Sequence, residues 1–389
     1  MPRAGPAEDV TALIHALAAT AATDEHSPSH RSKVKGALER LDSGYEALIS
    51  ALKNHGLTGS AYLLLESPEF RQLDAAQKVA RRLRPAFLMD HARTLANLRT
   101  LERARDILTS EGITLLITQG AALLARGVYP RVEARPMVDV DGIVRGEDWD
   151  RAARVLTAAG MQPSEDGQRW IDGEGILDLH LSPLGMERIR ARRLALPLTT
   201  ELVWDHSGPP GSDAQVGQGL LVPSLPLLWA MGLAHVQKHS FGALMWLLDL
   251  ARIAAMLSGE ELAEARSWTE RLRLPGACVV ATQVHRRCWN LPVPRELEID
   301  RSCLEPKTMA LVEGAVRNIT ALRDPGLVGE QLLWRMAPDS VDRLRLIWES
   351  TFPRGKVMKE IYPGYRPLLR PWFMLRRLWD LGRRRIGTR

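Results

Sequence analysis

The 389-residue sequence predicts an α+β fold: a small mixed sheet flanked by N-terminal and C-terminal helical regions. Two patterns carry this expectation. Before residue 110 and after about 220, apolar residues recur every three or four positions, the period of a helix with one buried face. Between 111 and 205, short apolar or alternating runs bounded by glycine take over, as strands require. The expected organisation is an N-terminal helical region (1–110), a sheet core (111–205) and a C-terminal helical domain with a basic tail (206–389).

Residues 1–30 open with a short amphipathic segment and run into the polar linker TDEHSPSHRS. In VKGALERLDSGYEALISALKNHG, the residues Leu38, Leu41, Tyr45, Leu48 and Leu52 fall on one face of a helix, and His55-Gly56 supplies its stop. A long helix over roughly 71–110 follows, with Leu98, Leu101 and Leu108 on its apolar side and Gly112 beyond its end. ITLLI (113–117) reads as a buried strand, and TQGAALLARGVYP as a tight turn into a short helix. RPMVDVDGIV (135–144) is a strand, and GEDWDRAARVLTAAG (146–160) a helix with acidic residues in its first turn. QRWID and GILDLHLS form a hairpin across Gly173-Glu174-Gly175. After 220, two apolar helices join near Ser240-Gly242, and helices continue to about 350.

The composition is that of a soluble globular protein, 45% apolar and 25% charged. The net charge of +6 leans towards an anionic partner, but much of it comes from the last twenty-five residues and says little about the centre. Cys278, Cys288 and Cys303 show no CxxC or zinc spacing and read as reduced thiols of a cytoplasmic protein. The first residues lack the layout of a secretory signal. No stretch reaches the roughly 18 apolar residues that span a bilayer; Phe241–Leu257 carries Asp249 and Arg252 and reads as a buried helix. The tail places Arg366, Arg370, Arg376, Arg377, Arg383, Arg384 and Arg385 among Trp and Leu. Its plainer reading is a helix packed on the core with a solvated basic face. The alternative is docking to an anionic membrane or nucleic acid.

The chemistry-bearing residues concentrate in the predicted sheet. Side chains two apart on a strand share a face, so Asp139 and Asp141 project together while Val138 and Val140 face the core. Asp178 and His180 likewise share a face, with Leu177, Leu179 and Leu181 on the other. If the strands are neighbours, three carboxylates converge. Together they repel one another unless a cation neutralises them, and hard divalent cations such as Mg²⁺ take such oxygen ligands. A site of that kind suits phosphoryl or nucleotidyl transfer. The turn at Gln119-Gly120-Ala121 would offer free backbone N–H groups to a phosphate. Taken alone, it reads as an ordinary strand-to-helix turn. His235 and His239 share a helix face, but no Glu or third ligand accompanies them, so they read as structural or substrate-lining.

The segment from Ile113 to Pro163 resembles the uncharacterised nucleotidyltransferase family of the polymerase-beta-like superfamily. The matching positions are Gly120, Tyr129, Pro130, Arg135, Asp139 and Asp141. Asp178 and His180 match a later Asp-x-His strand. His235, His239, Trp246 and Asp249 match a helical region, and Tyr362 and Pro363 a late Tyr-Pro. The resemblance spans roughly residues 95–385. It implies an enzyme that moves a nucleoside monophosphate from an NTP donor to a hydroxyl or phosphate acceptor with Mg²⁺ or Mn²⁺. Asp139, Asp141 and Asp178 would hold the metal, and Asp178 would act as general base. Gln119, Gly120, Ala121 and Arg135 would bind the nucleotide, and His180, His235, His239 and Asp249 would line an acceptor pocket. A small molecule or modified peptide is the expected acceptor, ahead of nucleic acid. The sequence departs from the family in three places. Gln119 replaces the usual Lys, Ala121 replaces Ser, and Gly142 stands where a bulky apolar residue is usual. These departures motivate the alternative of a degenerate member that binds a nucleotide or partner without turnover.

Overall fold

The computed structural model describes residues 6–23, 27–41, 43–165, 167–210, 219–362 and 364–386. Residues 24–26 of the expected linker, Pro363, and the side chains of Arg383, Arg384 and Arg385 lie outside what is described.

At the centre is a seven-stranded sheet in the order β3-β4-β5-β2-β1-β7-β6. The strands are β1 (Leu115–Ile117), β2 (Val140–Ile143), β3 (Gln162–Pro163), β4 (Arg169–Asp172), β5 (Gly175–His180), β6 (Ser207–Gly208) and β7 (Leu220–Pro223). β2 runs parallel to β5, and β1 parallel to β7; the other pairings are antiparallel. The mixed α+β architecture is therefore the expected one. β7 is the addition. It lies in the stretch read as helical, because a four-residue buried run just ahead of the Leu225–Lys238 helix has no period of its own.

The helix Asp74–Ser110 packs along β5, and Gly112 beyond it adopts φ +69°. Three small or polar residues allow the close approach. A Cβ at Gly175 would lie 2.1 Å from Thr100 Oγ1 and 2.5 Å from Ala96 O, so only glycine fits there. Asn97, fully buried, donates from Nδ2 to Met137 O (3.0 Å) and accepts from Ile176 N (2.9 Å). Thr94 Oγ1 accepts from Met137 N at 3.0 Å. One helix thus fixes both the approach to β2 and the start of β5.

Several local expectations need correction. The expected helix through Leu38 and Leu52 is two helices, Pro28–Arg40 and Tyr45–Asn54, separated at Gly44, whose φ of +87° no helix interior takes. Leu38, Leu41, Leu48 and Leu52 are nonetheless all buried. The expected linker is shorter than read, because the first of these helices already begins at Pro28. Val138 is exposed and Met137 buried in its place, since β2 begins only at Val140 and the alternation does not reach back to 138. Leu181, one residue past β5, is also exposed. The tail helix Arg370–Ile386 does not present only a basic face to solvent. Phe373 is buried with Met358, Tyr362 and Tyr365 in a small cluster separate from the main core, while Trp372, Leu375, Leu378 and Trp379 are exposed.

Gly142 has a packing reason. It faces the core between Val140's neighbours, and a Cβ there would lie 2.9 Å from Leu115 Cδ1 and 3.3 Å from Leu179 Cδ1. Leucines from β1 and β5 fill the space that a larger residue on β2 would occupy. Gly142→Val is therefore expected to cost about 1–3 kcal/mol through overpacking. Urea unfolding of the two proteins would measure it, and an unchanged midpoint would refute the assignment.

Candidate active site

The register of the sheet brings the acids together. Asp141 on β2 is paired with Asp178 on β5, and Asp178 in turn with Arg169 on β4. Three adjacent strands therefore present Arg169, Asp178 and Asp141 in one row. Asp139 lies just ahead of β2. At the other end of the row, Thr118 N donates to Asp141 O at 3.0 Å, tying the acidic strand to the turn at Gln119.

The row is electrostatically tense. His180 Nε2 lies 3.3 Å from Asp141 Oδ1 and 3.6 Å from Asp178 Oδ1. Arg169 Nε donates to Asp178 Oδ2 at 3.3 Å. Asp178 Oδ1 is buried with no hydrogen-bond donor. Burial, then the charges of Asp141 and Asp178, push the Asp139 carboxyl up to about 6. An orphaned carboxylate oxygen and a carboxylate driven towards its neutral form are what a set of acids shows when its charges exceed those of its cationic neighbours. The donors are all oxygens, as hard divalent cations require. Among the described residues, no three His, Cys, Asp or Glu side chains are already placed to hold a metal ion. In the present rotamers, Asp141 and Asp178 turn to His180 and Arg169. The donor set fits Mg²⁺ or Mn²⁺ by chemistry and burial, without a preformed cage.

At the turn, the short helix Gln119–Ala125 follows β1 directly. Gln119 is held at φ +53°, a left-handed conformation unusual for a residue with a side chain. Gly120 and Ala121 are both buried. A Cβ at Gly120 would meet Met137 Cγ and Sδ at 3.0 Å, a tight contact to which the methionine side chain would have to yield.

Arg135 and Asp249, expected on the nucleotide and in the acceptor pocket, are instead joined to each other. Arg135 Nε and Nη2 donate to the two oxygens of Asp249, each at 2.8 Å, and Nη1 donates to Pro136 O. Tyr129 Oη donates to Asp249 Oδ1 at 2.6 Å. Burial, which would lower the Arg135 pKa, is outweighed by Asp249, so the guanidinium stays charged. Three of its N–H donors are engaged inside the fold, and Arg135 ties the approach to β2 to the Leu244–Met256 helix.

His235 and His239 form a ring cluster with Trp246, all centroids 4.7–5.0 Å apart. Burial pushes the His235 imidazole well below its usual range, with His239 adding to it. Gln119, Arg135, His235, Trp246 and Asp249 line a cavity of about 30 Å³, room for a water and not for a nucleotide. A cavity of about 930 Å³ lies elsewhere, between the N-terminal helices and residues 287–323; none of the three acids lines it.

Three participants were not foreseen. Arg169 could have been found by counting back along the hairpin from its turn, since Asp172 pairs with Gly175. Tyr129 was matched without a role. Asn97 carries no sequence signal, because a buried Asn in a long helix resembles any other polar position.

A short mixed sheet carrying three carboxylates beside a strand-to-helix turn has the architecture of a nucleotidyltransferase-like α+β protein. The chain matches the family described as uncharacterised nucleotidyltransferase over residues 42–284, more than half its length, and belongs to that family. No curated protein and no solved structure matches it.

Proposed function

We propose that the protein is a metal-dependent nucleotidyltransferase that moves a nucleoside monophosphate from an NTP to a hydroxyl or phosphate acceptor, a small molecule or modified peptide ahead of nucleic acid. The observation that supports the reading is the register pairing of Asp141 with Asp178, with Asp139 just ahead of the same strand and one Asp178 carboxylate oxygen buried without a hydrogen-bond partner. These three residues would hold Mg²⁺ or Mn²⁺. The chemistry such a cation supplies when bound is neutralisation of phosphate charge.

The rest falls to the chain. Backbone N–H groups at Gly120 and Ala121, in the first turn of their helix, would donate to phosphate oxygens. The Gln119 amide could add a neutral hydrogen bond where a Lys would add charge. Asp178 Oδ1, lacking a donor, would accept the acceptor's hydroxyl proton. The acceptor oxygen would then bond to the α-phosphorus as the bond to the bridging oxygen breaks and pyrophosphate leaves. His180, within reach of both Asp141 and Asp178, would orient the two carboxylates. His235 and His239 would border the acceptor. With only about 30 Å³ behind the turn, the nucleotide would lie over it.

A second reading rests on Gln119, Ala121 and the commitment of Asp141 and Asp178 to His180 and Arg169: a degenerate member that binds a nucleotide or partner without turnover. Binding of the four NTPs, with and without Mg²⁺ or Mn²⁺, separates the two. The transferase reading expects cation-dependent binding of at least one NTP, weakened by about 10²-fold or more in Asp139→Ala/Asp141→Ala. Cation-independent binding that survives in the double variant would favour the second reading. No binding of any NTP would overturn the first.

A further inference from the structure

The charge of this chain is segregated. Residues 366–389 hold eight arginines and one aspartate, a net +7, while the whole chain carries +6, so residues 1–365 are left at −1. The positive end is also where large apolar side chains face solvent. Leu368, Trp372, Leu375 and Trp379 are 94%, 54%, 67% and 69% exposed. Their spacing of four, three and four residues sets them in one stripe along the Arg370–Ile386 helix and the turn before it. Leu378, also exposed, widens the stripe.

The helix is held from its other side. Phe373 is buried against Tyr362 and Tyr365, Asp380 accepts from Tyr362 Oη at 2.8 Å, and Arg377 donates to Thr351 O and Ser350 O at 3.0 and 3.2 Å. An amphipathic helix ordinarily turns its apolar stripe to the protein. Here the stripe faces outward, with Arg366, Arg370 and Arg376 exposed around it.

We propose that this C-terminal helix is a docking surface for an anionic lipid bilayer, lying in the interface with Trp372, Leu375 and Trp379 at the acyl boundary and the arginines among the headgroups. Trp and Leu beside Arg is the composition that this environment selects. A nucleic acid would use the arginines and could stack on the tryptophans, but would leave the leucines in water. No helix among the described residues is long and apolar enough to cross a membrane, so contact through this surface would be peripheral.

The test is co-sedimentation of the full chain with vesicles of phosphatidylcholine alone and with about one-third phosphatidylglycerol. Binding is expected to the anionic vesicles and not to the neutral ones, with a blue shift in tryptophan emission. Trp372→Ser/Leu375→Ser/Trp379→Ser, all exposed and outside the main core, should fold normally and bind at least tenfold more weakly. Arg370→Gln/Arg376→Gln should weaken binding by roughly fivefold per arginine. The proposal falls if anionic vesicles are not bound, or if the triple variant binds them as well as the parent. It also falls if the serine variants lose self-association and no vesicle binding, which would make the stripe a contact between copies. RNA binding that outcompetes the vesicles and ignores the serine substitutions would assign the surface to nucleic acid.

Discussion

Asp139→Asn is expected to lower nucleotidyl transfer by about 10²–10³-fold and to make the metal-free protein more stable by about 1–2 kcal/mol. Both effects come from one cause. The Asp139 carboxyl titrates near 6 in the folded chain against an ordinary 3.8, because folding buries it and brings it beside Asp141 and Asp178. The unfolded chain is the stronger acid at this position. The charge therefore opposes folding fully above about pH 6, and the penalty fades as pH falls towards about 4. The full shift corresponds to about 3 kcal/mol; the partial exposure of Asp139 reduces it. Urea unfolding in a chelator, at about pH 7.5 and again at about pH 4, should show the gain at the first and little at the second. Equal stability of parent and variant at the higher pH would mean that the acids do not repel one another in the fold. Undiminished transfer would remove Asp139 from the reaction.

Asp249→Ala is expected to destabilise the protein by about 3–5 kcal/mol, more than any surface ion pair could account for. Both side chains of the Arg135–Asp249 pair are more than nine-tenths buried. Removing the carboxylate strands a buried guanidinium and leaves the Tyr129 hydroxyl without its acceptor. Arg135→Met/Asp249→Leu should recover part of the loss, because an apolar pair leaves no stranded charge; the Tyr129 hydroxyl still lacks Asp249, and Pro136 O still lacks its Arg135 donor. Denaturant midpoints of the parent, single and double variants give the answer. A single-variant loss below about 1 kcal/mol would show that water reaches the pair. A double variant no better than the single would show that Arg135 has a second partner of equal weight.

The acidic residues and their strands were legible because strand alternation is local: two residues apart means one face, and a glycine turn fixes a hairpin's register. Their convergence was conditional on the two strands being neighbours, which alternation does not decide; Asp141 and Asp178 are register partners. The helix boundaries around Gly44 were not legible, because the leucine spacing continues unbroken across the turn. The partners of Arg135 and Asp249 were beyond reach for a different reason. They stand 114 residues apart, and nothing in either neighbourhood says that one carboxylate will be buried against one guanidinium. The same holds for Asn97, which bonds to two segments 40 and 79 residues away. What sequence shows poorly is the supporting shell: side chains whose role is set by long-range closure.

The position of β7 has a bearing on how the molecule is made. β1 lies between β2, which follows it closely, and β7, which begins at residue 220. During synthesis the acidic strands emerge first and can pair among themselves, while one edge of β1 stays open until β7 emerges, about a hundred residues after β1 and about forty after β5. An open edge of buried apolar strand is where chains stick to one another. Asp249 arrives later still, so the charge of Arg135 also waits for its partner. The interval between residues 117 and 249 is therefore the vulnerable stage of biogenesis, and nascent chains halted within it should depend most on chaperones for solubility.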